Sequence, residues 1–565
     1  MASPGDDPLW YLAPELAPEL AQLAALHGVQ LSYVDALETE RTASPEAVVA
    51  VLRALGAPLE RPEDAGEAIR ARRRQLAERI VDPVIVAWEG AATTTEIVLP
   101  RGAATGWVDC RLSIGGREVQ SWKRSLDRLP TTGERDVAGE TYLGKRLPTP
   151  GSLPMGYHRL DLAVAGHRRT ATLISAPRRA WSPAAEGAAG EEDERRWGVF
   201  LPLYALHTRE SWGCGDFADL ATLARWSAGL GGGAVATLPL LAAFLDEPCD
   251  PSPYTPASRL FWNELYVDPR RLPELERSPK AQALLQSTDL AAEVAALRRG
   301  RLVDYRRLYA LKRPVLAALA ETFFTGPDDP ADLRRAAFAA FRERHPRLED
   351  YAAFRAVGDR RRETWQGWPE PLRSGRVEPG DYDEADRRTH LYAQWAAAEQ
   401  VAAAGAAAAA GGGPGLFLDL PLGVHPSSYD VWRERDLFVS GVATGAPPDL
   451  LFSRGQDWGF HPHHPDRLRE DGYRYYAAAI AHHLEHAGAL RIDHVMQLHR
   501  LFFVPQGMAA TEGLYVRYPA DELYAVLSVE SHRARAWIVG ENLGTVPDAV
   551  DAALAEHGIS TLFIL

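Results

Sequence analysis

Six short apolar runs, separated by helical stretches, constrain the fold of this chain more than any other feature. They are WGVFLPLYAL (197–206), GAVATLPL (233–240), GLFLDLPL (415–422), ALRIDHVM (489–496), AWIVGENL (536–543) and ISTLFIL (559–565). Continuous apolar runs of this length are typical of buried parallel strands, and strands that alternate with helices form βαβ units. The sequence therefore predicts an α/β fold, a (β/α)8 TIM-type barrel of which about six strands are present.

The rest of the chain changes in apolar periodicity and composition along its length. Near the N-terminus, LAPELAQLAALHGV and SPEAVVAVLRALGA repeat apolar residues every three or four positions, and Ser44 is placed to start a helix. Short β-prone runs between Gly, Pro and Asp turns follow, which favours a small sandwich. Four segments are predicted: a helical region (1–78), a β-sandwich domain (79–177), a linker rich in Ala, Gly and acid (178–195), and the catalytic barrel (196–565) with a helical insertion at about 268–400.

The charge and hydropathy of the chain exclude several kinds of partner. The net charge is -14, whereas nucleic acids and anionic membranes attract basic surfaces. No uncharged apolar run reaches the roughly 20 residues that span a bilayer. The N-terminus, MASPGDDPLW, lacks the apolar run of a signal peptide. We expect a cytoplasmic protein that binds neither nucleic acid nor membrane.

The cysteines and the clustered histidines do not form a metal-binding pattern. The chain has three cysteines, an odd number that fits a reducing compartment. Neither their spacing nor that of the histidines in HPHHP (461–465) matches a usual ligand pattern. We expect no metal and no organic cofactor.

Two acidic residues end the fourth and fifth predicted strands, Asp493 and Glu541. Either one alone is explained as a helix cap or a structural ion pair. Barrel enzymes keep their catalytic groups at the carboxyl ends of strands, and glycoside chemistry requires two carboxylates on one rim. The pair therefore predicts a retaining glycoside-processing site, provided that the two carboxyl groups lie about 5–5.5 Å apart.

The neighbours of these acids suggest how the work is divided between them. Arg491 lies two residues before Asp493, so the two side chains point to the same side of the strand. Its cation is expected to keep Asp493 ionised, as a nucleophile requires. Glu541 has a more apolar setting, where a raised pKa suits a general acid and base. His494 either bonds a sugar hydroxyl or packs.

RIDH (491–494) followed by GENLG (540–544) resembles the paired motifs of 4-α-glucanotransferases, the amylomaltases or disproportionating enzymes of glycoside hydrolase family 77. This family belongs to the α-amylase clan. Further segments resemble it in the same order along the chain: LHTRESWGCGDFADL (206–220), SPYTPASRLFWNELYVD (252–268), DLPLGVHPSSYDVW (419–432) and GAPPDLLFSRGQDWG (445–459). The two N-terminal domains resemble the extension of the longer bacterial members.

The resemblance implies transfer of α-1,4-glucan segments between maltodextrins, with a covalent glycosyl-aspartate intermediate and an acceptor sugar. It implies that Asp493 is the nucleophile and Glu541 the general acid/base. It also implies roles for further residues: Arg491 positions Asp493, His494 contacts the donor sugar, Tyr254 stacks on a glucose ring, and Asp449, Gln456 and Trp458 lie on a loop over the acceptor side. Asp419 is either substrate-binding or structural, and Asn542 stands where many members have Asp.

One departure from the family keeps two alternatives open. The clan's third carboxylate, in an HDN-type motif after the seventh strand, is absent, and the sequence stops at Leu565. We expect a truncated sequence that is poorly active as it stands. The alternatives are a retaining α-glucan hydrolase, which would make no longer product from maltotriose, and a non-catalytic glucan-binding protein, which a continuing reading frame with an HDN motif would exclude.

Overall fold

The structure, a computed structural model, describes residues 17–35, 38–182, 196–326 and 333–563. Most of the predicted linker and the first residues of the predicted N-terminal helical region lie outside these ranges. The chain divides into two compact units. The first unit comprises Met1–Ser182, Asp436–Ala478 and His494–Leu565, and the second comprises Pro183–Arg435 and Ala479–Asp493.

The N-terminal region consists of three helices and a short hairpin. Its elements are helices α1 (Pro18–Leu26), α2 (Pro45–Ala54) and α3 (Ala65–Glu78), and the antiparallel strands β1 (Ser32–Val34) and β2 (Glu40–Thr42). Ser44 caps α2 as expected, since its Oγ accepts a hydrogen bond of 3.3 Å from the Ala47 N–H. The hairpin departs from the helical prediction, and an isolated bridge from Val29 to Val516 lies just before it.

A β-sandwich follows, as the sequence predicted. Its strands are β3 (Val84–Trp88), β4 (Thr94–Pro100), β5 (Trp107–Ile114), β6 (Arg117–Ser125), β7 (Thr131–Val137), β8 (Glu140–Pro148), β9 (Gly156–Val164) and β10 (His167–Ala176). One sheet has the order β3-β10-β9-β5-β6 and the other β4-β8-β7. Fully buried side chains such as Ile97, Val108, Leu160 and Leu173 form the core of this domain.

The remaining strands include all six that the apolar runs predicted. In chain order they are β11 (Gly198–Phe200), β12 (Ala234–Ala236), β13 (Phe244–Leu245), β14 (Cys249–Asp250), β15 (Gly415–Leu420), β16 (Val442–Ala446), β17 (Gln456–Asp457), β18 (Ala489–Ile492), β19 (Arg500–Pro505), β20 (Leu514–Arg517), β21 (Trp537–Gly540) and β22 (Ser560–Thr561). The predicted six are β11, β12, β15, β18, β21 and β22.

Helices separate these strands. They are α4 (Phe217–Gly229), α5 (Pro279–Leu285), α6 (Thr288–Arg299), α7 (Tyr305–Thr325), α8 (Leu333–Arg344), α9 (Leu348–Arg361), α10 (Glu384–Ala409), α11 (Tyr429–Arg433), α12 (Pro465–Glu470), α13 (Arg474–Leu484), α14 (Ala520–Ala534) and α15 (Asp548–Glu556). In the described part of the chain, none of the helices combines the length and the apolar character that crossing a bilayer requires.

In the second unit, strands β11, β12, β15 and β18 form a parallel sheet in that order. Helix α10 packs against α4, α7 and α9, and also against β15. In the β15–β18 pair, Asp419 stands opposite Arg491 and Leu420 opposite Ile492. The register therefore brings a carboxylate and a guanidinium together at the ends of two neighbouring strands.

Besides the sandwich, the first unit contains an antiparallel sheet and the parallel pair of β21 and β22. Strands β17, β16, β19 and β20 form an antiparallel sheet in that order. Strand β21 pairs in parallel with β22, with Val539 opposite Ser560. The end of β21 leads directly to Glu541.

Candidate active site

Asp493 follows the last residue of β18 and is fixed by three contacts within the second unit. Its backbone N–H donates to the Leu420 carbonyl at 3.2 Å. Its Oδ2 accepts a hydrogen bond of 3.3 Å from the Leu422 N–H, and its Oδ1 lies 3.0 Å from Nη2 of Arg491. The side chain keeps 21% of its surface exposed, so the carboxylate is held in one orientation and still reaches solvent.

Arg491 bridges two carboxylates. Its Nη1 donates to Oδ1 of Asp419 at 2.6 Å and to Oδ2 at 2.8 Å, while Nη2 contacts Asp493. The Tyr254 hydroxyl donates to Oδ2 of Asp419 at 2.8 Å. Both bonds to Asp419 come from one guanidinium nitrogen, and Asp419 is almost fully buried, so this charge-assisted pair is shielded from solvent. The second unit therefore holds a continuous polar network of four predicted site residues.

Burial dominates the electrostatics of this network. It raises the pKa of Asp493, and the nearby Arg491 cation opposes that shift without reversing it. Burial likewise raises the pKa of Asp419 to about 6 against the pull of Arg491. Against its own burial, Arg491 has a raised pKa because Asp419 and Asp493 flank it. Arg491 thus lowers the pKa of Asp493, as expected from the sequence, but desolvation is the larger effect.

Glu541 follows β21 and is anchored twice to one short segment of the first unit. Its Oε2 accepts a hydrogen bond of 2.7 Å from the His494 N–H, and its backbone carbonyl accepts one of 3.0 Å from the Val495 N–H. His494 adopts a left-handed conformation, with φ 48° and ψ 66°. For a residue other than glycine this conformation costs about 1–2 kcal/mol. The two hydrogen bonds to Glu541 offset that cost and hold the turn.

The His494 ring packs edge-on against Trp458, with ring centroids 5.4 Å apart and planes at 79°. Burial lowers the pKa of His494 to about 4, and the Arg500 cation adds to the shift. The imidazole is therefore neutral near pH 7 and can offer one donor and one acceptor nitrogen.

Trp458 and Gln456 lie at the end of a loop that starts at β16. The Trp458 N–H donates to the Thr444 carbonyl at 2.9 Å, and its indole Nε1 donates to Oε1 of Gln456 at 3.3 Å. Its ring also stacks with Phe460, at a centroid distance of 6.1 Å. These contacts fix the ring that touches His494.

Asp449 and Asn542 have local partners. Oδ1 of Asp449 accepts hydrogen bonds from the N–H groups of Leu451 at 2.7 Å and Phe452 at 2.5 Å, so this carboxylate shapes the turn of its own loop. Nδ2 of Asn542 donates to Asp551 of α15 at 3.0 Å. The predicted site residues thus fall into a network around Arg491, a cluster around His494, and these two locally bonded side chains.

The sequence did not reveal two features of the site. One is the Leu422 N–H that donates to Asp493, which belongs to the PLG turn after β15. The other is the left-handed backbone of His494. Glycine is the residue that usually indicates this conformation in a sequence, so a histidine gave no sign of it. A turn dipeptide directly after an apolar strand is the signal that points to the first feature.

The histidine run at 461–465 is engaged elsewhere. Nδ1 of His461 lies 3.1 Å from the Val442 carbonyl oxygen, and the His463 ring packs against Phe438 at 4.9 Å. Within the described ranges, no group of three or more His, Cys, Asp or Glu side chains is arranged so as to hold a metal ion.

Comparison with known proteins decides the family. The family model of the 4-alpha-glucanotransferases, glycoside hydrolase family 77, matches residues 201–565. The chain belongs to the 4-alpha-glucanotransferase family. A model of the MalQ N-terminal beta sandwich domain matches residues 80–177.

Members of the 4-alpha-glucanotransferase family are similar to this chain over most of its length. This chain is 35% identical over 569 residues to the 4-alpha-glucanotransferase of Mycobacterium tuberculosis H37Rv, and the aligned region covers 98% of this chain and 75% of the relative. It is 33% identical over 508 residues to that of Haemophilus influenzae, covering 84% and 71%. The crystal structure of amylomaltase from Corynebacterium glutamicum superposes with a TM-score of 0.81 at 29% identity, covering 96% of this chain and 74% of that one. The predicted TIM-type α/β fold is confirmed.

Proposed function

We propose that this member of the family is a 4-α-glucanotransferase that moves α-1,4-linked glucan segments between maltodextrins, with Asp493 as nucleophile and Glu541 as general acid and base. One observation carries the assignment. The Asp493 carboxylate is oriented by Arg491, and the very next residue, His494, donates its N–H to Glu541. Asp493 and the residue that anchors Glu541 are therefore consecutive in the chain.

In the first step an oxygen of Asp493 attacks the anomeric carbon of the donor glucan. The bond from that carbon to the departing O4 breaks, and Glu541 gives its proton to that oxygen. The products are a shortened glucan and a glycosyl ester on Asp493. In the second step the 4-hydroxyl of an acceptor sugar attacks the same carbon while Glu541 takes the hydroxyl proton. Two inversions restore the α configuration.

The surroundings of Asp493 favour the formation of this ester. Burial disfavours the charged form of the Asp493 carboxylate, so conversion to a neutral ester removes that free-energy cost. The two carboxylate partners of Arg491 raise its pKa, so Arg491 stays positively charged beside Asp493. This cation stabilises the ionised carboxylate of Asp493, which is the form that attacks. Asp419 holds Arg491 in place, which gives this buried acid a positioning role.

Substrate contacts are proposed for the remaining predicted residues. The neutral ring of His494 contacts a donor-sugar hydroxyl, and the Tyr254 ring, oriented through its bond to Asp419, stacks on a glucose ring. Trp458 and Gln456 present a fixed indole and amide to the acceptor. Transfer prevails over hydrolysis when an acceptor fills this surface and excludes water.

Maltotriose alone tests the function. A transferase yields glucose together with maltotetraose and longer oligomers, which chromatography of the unlabelled products resolves. A hydrolase yields glucose and maltose without longer products, and a binding protein yields neither. Either of the latter two patterns would refute the proposal.

A matched pair of tryptophan variants sharpens this test. Trp458→Ala should shift the products from longer oligomers toward hydrolysis, because the indole that excludes water is gone. Trp226→Ala removes an indole that is 57% exposed on α4 and belongs to none of the proposed contacts, so its product pattern should match that of the wild type. An equal shift in both variants would contradict the role of Trp458.

A further inference from the structure

Residues Gly28–Gln30 pair with the sheet from which the loop at 445–459, with Trp458, extends. The Gln30 N–H donates to the Tyr515 carbonyl at 2.8 Å, and the Arg517 N–H donates to the Gly28 carbonyl at 2.9 Å. Val29 forms an antiparallel bridge with Val516. Through this isolated bridge, residues Gly28–Gln30 pair with the outer edge of β20, in the sheet ordered β17-β16-β19-β20.

An aromatic cluster holds the hairpin strand β1 against the same sheet. The Tyr33 ring meets Phe502 edge-on at 5.5 Å and Tyr515 edge-on at 5.3 Å, and all three rings are buried. Buried Val504 completes the cluster. The Tyr33 hydroxyl is buried and makes no hydrogen bond to another described residue. The ring of Tyr33, rather than its hydroxyl, makes this contact.

Two polar contacts reinforce the cluster. The Ser44 hydroxyl donates to Oε2 of Glu512 at 2.8 Å. Arg500 donates to Oε1 of Gln30 at 3.2 Å and lies over the Tyr515 ring at 4.0 Å. Arg500 also lowers the pKa of His494, after the larger effect of burial, so the N-terminal region contacts a cation that acts on the site.

The clustered residues support both ends of the loop at 445–459. In the β16–β19 pair, Gly445 stands opposite Phe502, which fixes the start of the loop. Ala510 packs on the aromatic cluster, and a Cβ on Gly455 would lie only 3.1 Å from the Ala510 Cβ and 2.8 Å from a backbone carbonyl. The end of the loop thus rests directly on Ala510. Trp458 follows three residues later.

We propose that residues 28–35 and 38–44 brace the loop at 445–459, and that Tyr33 is a positioning residue which favours capture of the glycosyl intermediate by an acceptor sugar over capture by water. The inference rests on the proposed function. The path from Tyr33 runs through Ala510 and the loop to Trp458, and Trp458 packs on His494. The contacts that orient Asp493 come from Leu420, Leu422 and Arg491, which lie outside this path, so the rate of glycosylation is expected to stay unchanged.

Tyr33→Ala in the full chain tests the brace. With maltotriose as substrate, the ratio of transfer to hydrolysis should fall by about tenfold, the effect of losing one well-made aromatic cluster contact. The KM for glucose as acceptor should rise, while the rate of glycosylation by α-maltosyl fluoride stays at the wild-type value. Tyr33→Phe keeps the ring and should restore the wild-type ratio.

A structural control separates positioning from stability. Leu160→Ala removes a fully buried side chain from the sandwich core of the same unit, so it should lower the melting temperature without changing the product ratio. All variants are assayed well below their melting temperatures. If Tyr33→Ala does not fold, Gln30→Ala, which removes only the contact with Arg500, replaces it and should lower the ratio by about twofold to threefold.

Several outcomes would overturn the brace. They are an unchanged ratio in the Tyr33→Ala variant, a failure of Tyr33→Phe to restore the ratio, and an equal loss in Leu160→Ala. If the wild type makes no longer oligomers from maltotriose, the proposed function fails instead, and the two failures are thereby distinguished.

Discussion

Replacing Arg491 with glutamine removes the cation that lies 3.0 Å from Asp493 while keeping a polar side chain of similar reach. At an effective dielectric constant of about 20, two unit charges 4 Å apart interact by about 4 kcal/mol. Both side chains are about one-fifth exposed, and solvent reduces this value. The pKa of Asp493 should therefore rise further, by about 1–3 units.

The sign of the effect on activity follows from the charge required. Asp493 attacks as the carboxylate, and loss of a neighbouring cation favours the protonated form. In Arg491→Gln, the acid limb of the pH profile of kcat/KM should therefore move to higher pH by about 1–3 units. Maltotriose disproportionation measured from acid to mildly alkaline pH reads the limb directly. A uniform loss of activity with the acid limb in place would refute the reasoning.

Stability gives a second readout for this variant. The pKa of Asp419 is about 6 in the folded chain, above the ordinary value of 3.8, so ionising this buried acid costs stability as pH rises through that range. Without Arg491 the cost grows, and the loss of melting temperature should be larger at pH 8 than at pH 5. Arg334→Gln is the matched control. Arg334 also bridges two carboxylates, those of Glu274 and Glu399, with 21% of its surface exposed, and its removal should leave the acid limb unmoved.

Three further outcomes are expected. Asp493→Asn should abolish transfer while calorimetry still detects maltodextrin binding, and retained turnover would show that another group is the nucleophile. Gly540→Ala should lower the free energy of unfolding by about 1–3 kcal/mol and should also lower kcat. The reason is that the added Cβ would lie 2.8 Å from the Val495 side chain, and the Val495 N–H donates to the Glu541 carbonyl. A variant with wild-type kcat would show that this close packing does not position Glu541. Arg535→Gly should raise stability by about 1 kcal/mol, since Arg535 ends α14 at φ 52°, and an unchanged melting temperature would contradict the strain argument.

Apolar patterning predicted the sandwich strands with several buried apolar residues, but it missed β19, which is buried at five of its six residues. The runs around Ile85, Leu160 and Leu173 are apolar because these residues fill the sandwich core, and their strands agree with the predicted β-prone runs. Strand β6 is exposed along nearly its whole length, and β7 is exposed up to its last residue, so neither carries an apolar signal. The hairpin β1–β2 was missed for another reason: its strands have only three residues each, and Tyr33 of β1 packs on Phe502 and Tyr515, which lie far along the chain.

At the candidate site, the sequence predicted contacts within one strand but not those that depend on strand register or burial. Strand alternation placed Arg491 and Asp493 on one side, and the two side chains are 3.0 Å apart. The sequence could not show that Arg491 is shared with Asp419, because that pairing depends on the register of β15 and β18. Nor could it show that desolvation outweighs the cation at Asp493, since burial is a property of the packed fold.

Trapping the glycosyl intermediate is the most direct test of the proposed double displacement. In Glu541→Gln, α-maltosyl fluoride can still glycosylate the chain because fluoride leaves without a proton, but no base remains to activate the acceptor. Mass spectrometry of the acid-quenched protein should find one added maltosyl group, and peptide mapping should place it on Asp493. An unmodified chain, or a sugar attached to another carboxylate such as Asp419, would contradict the account.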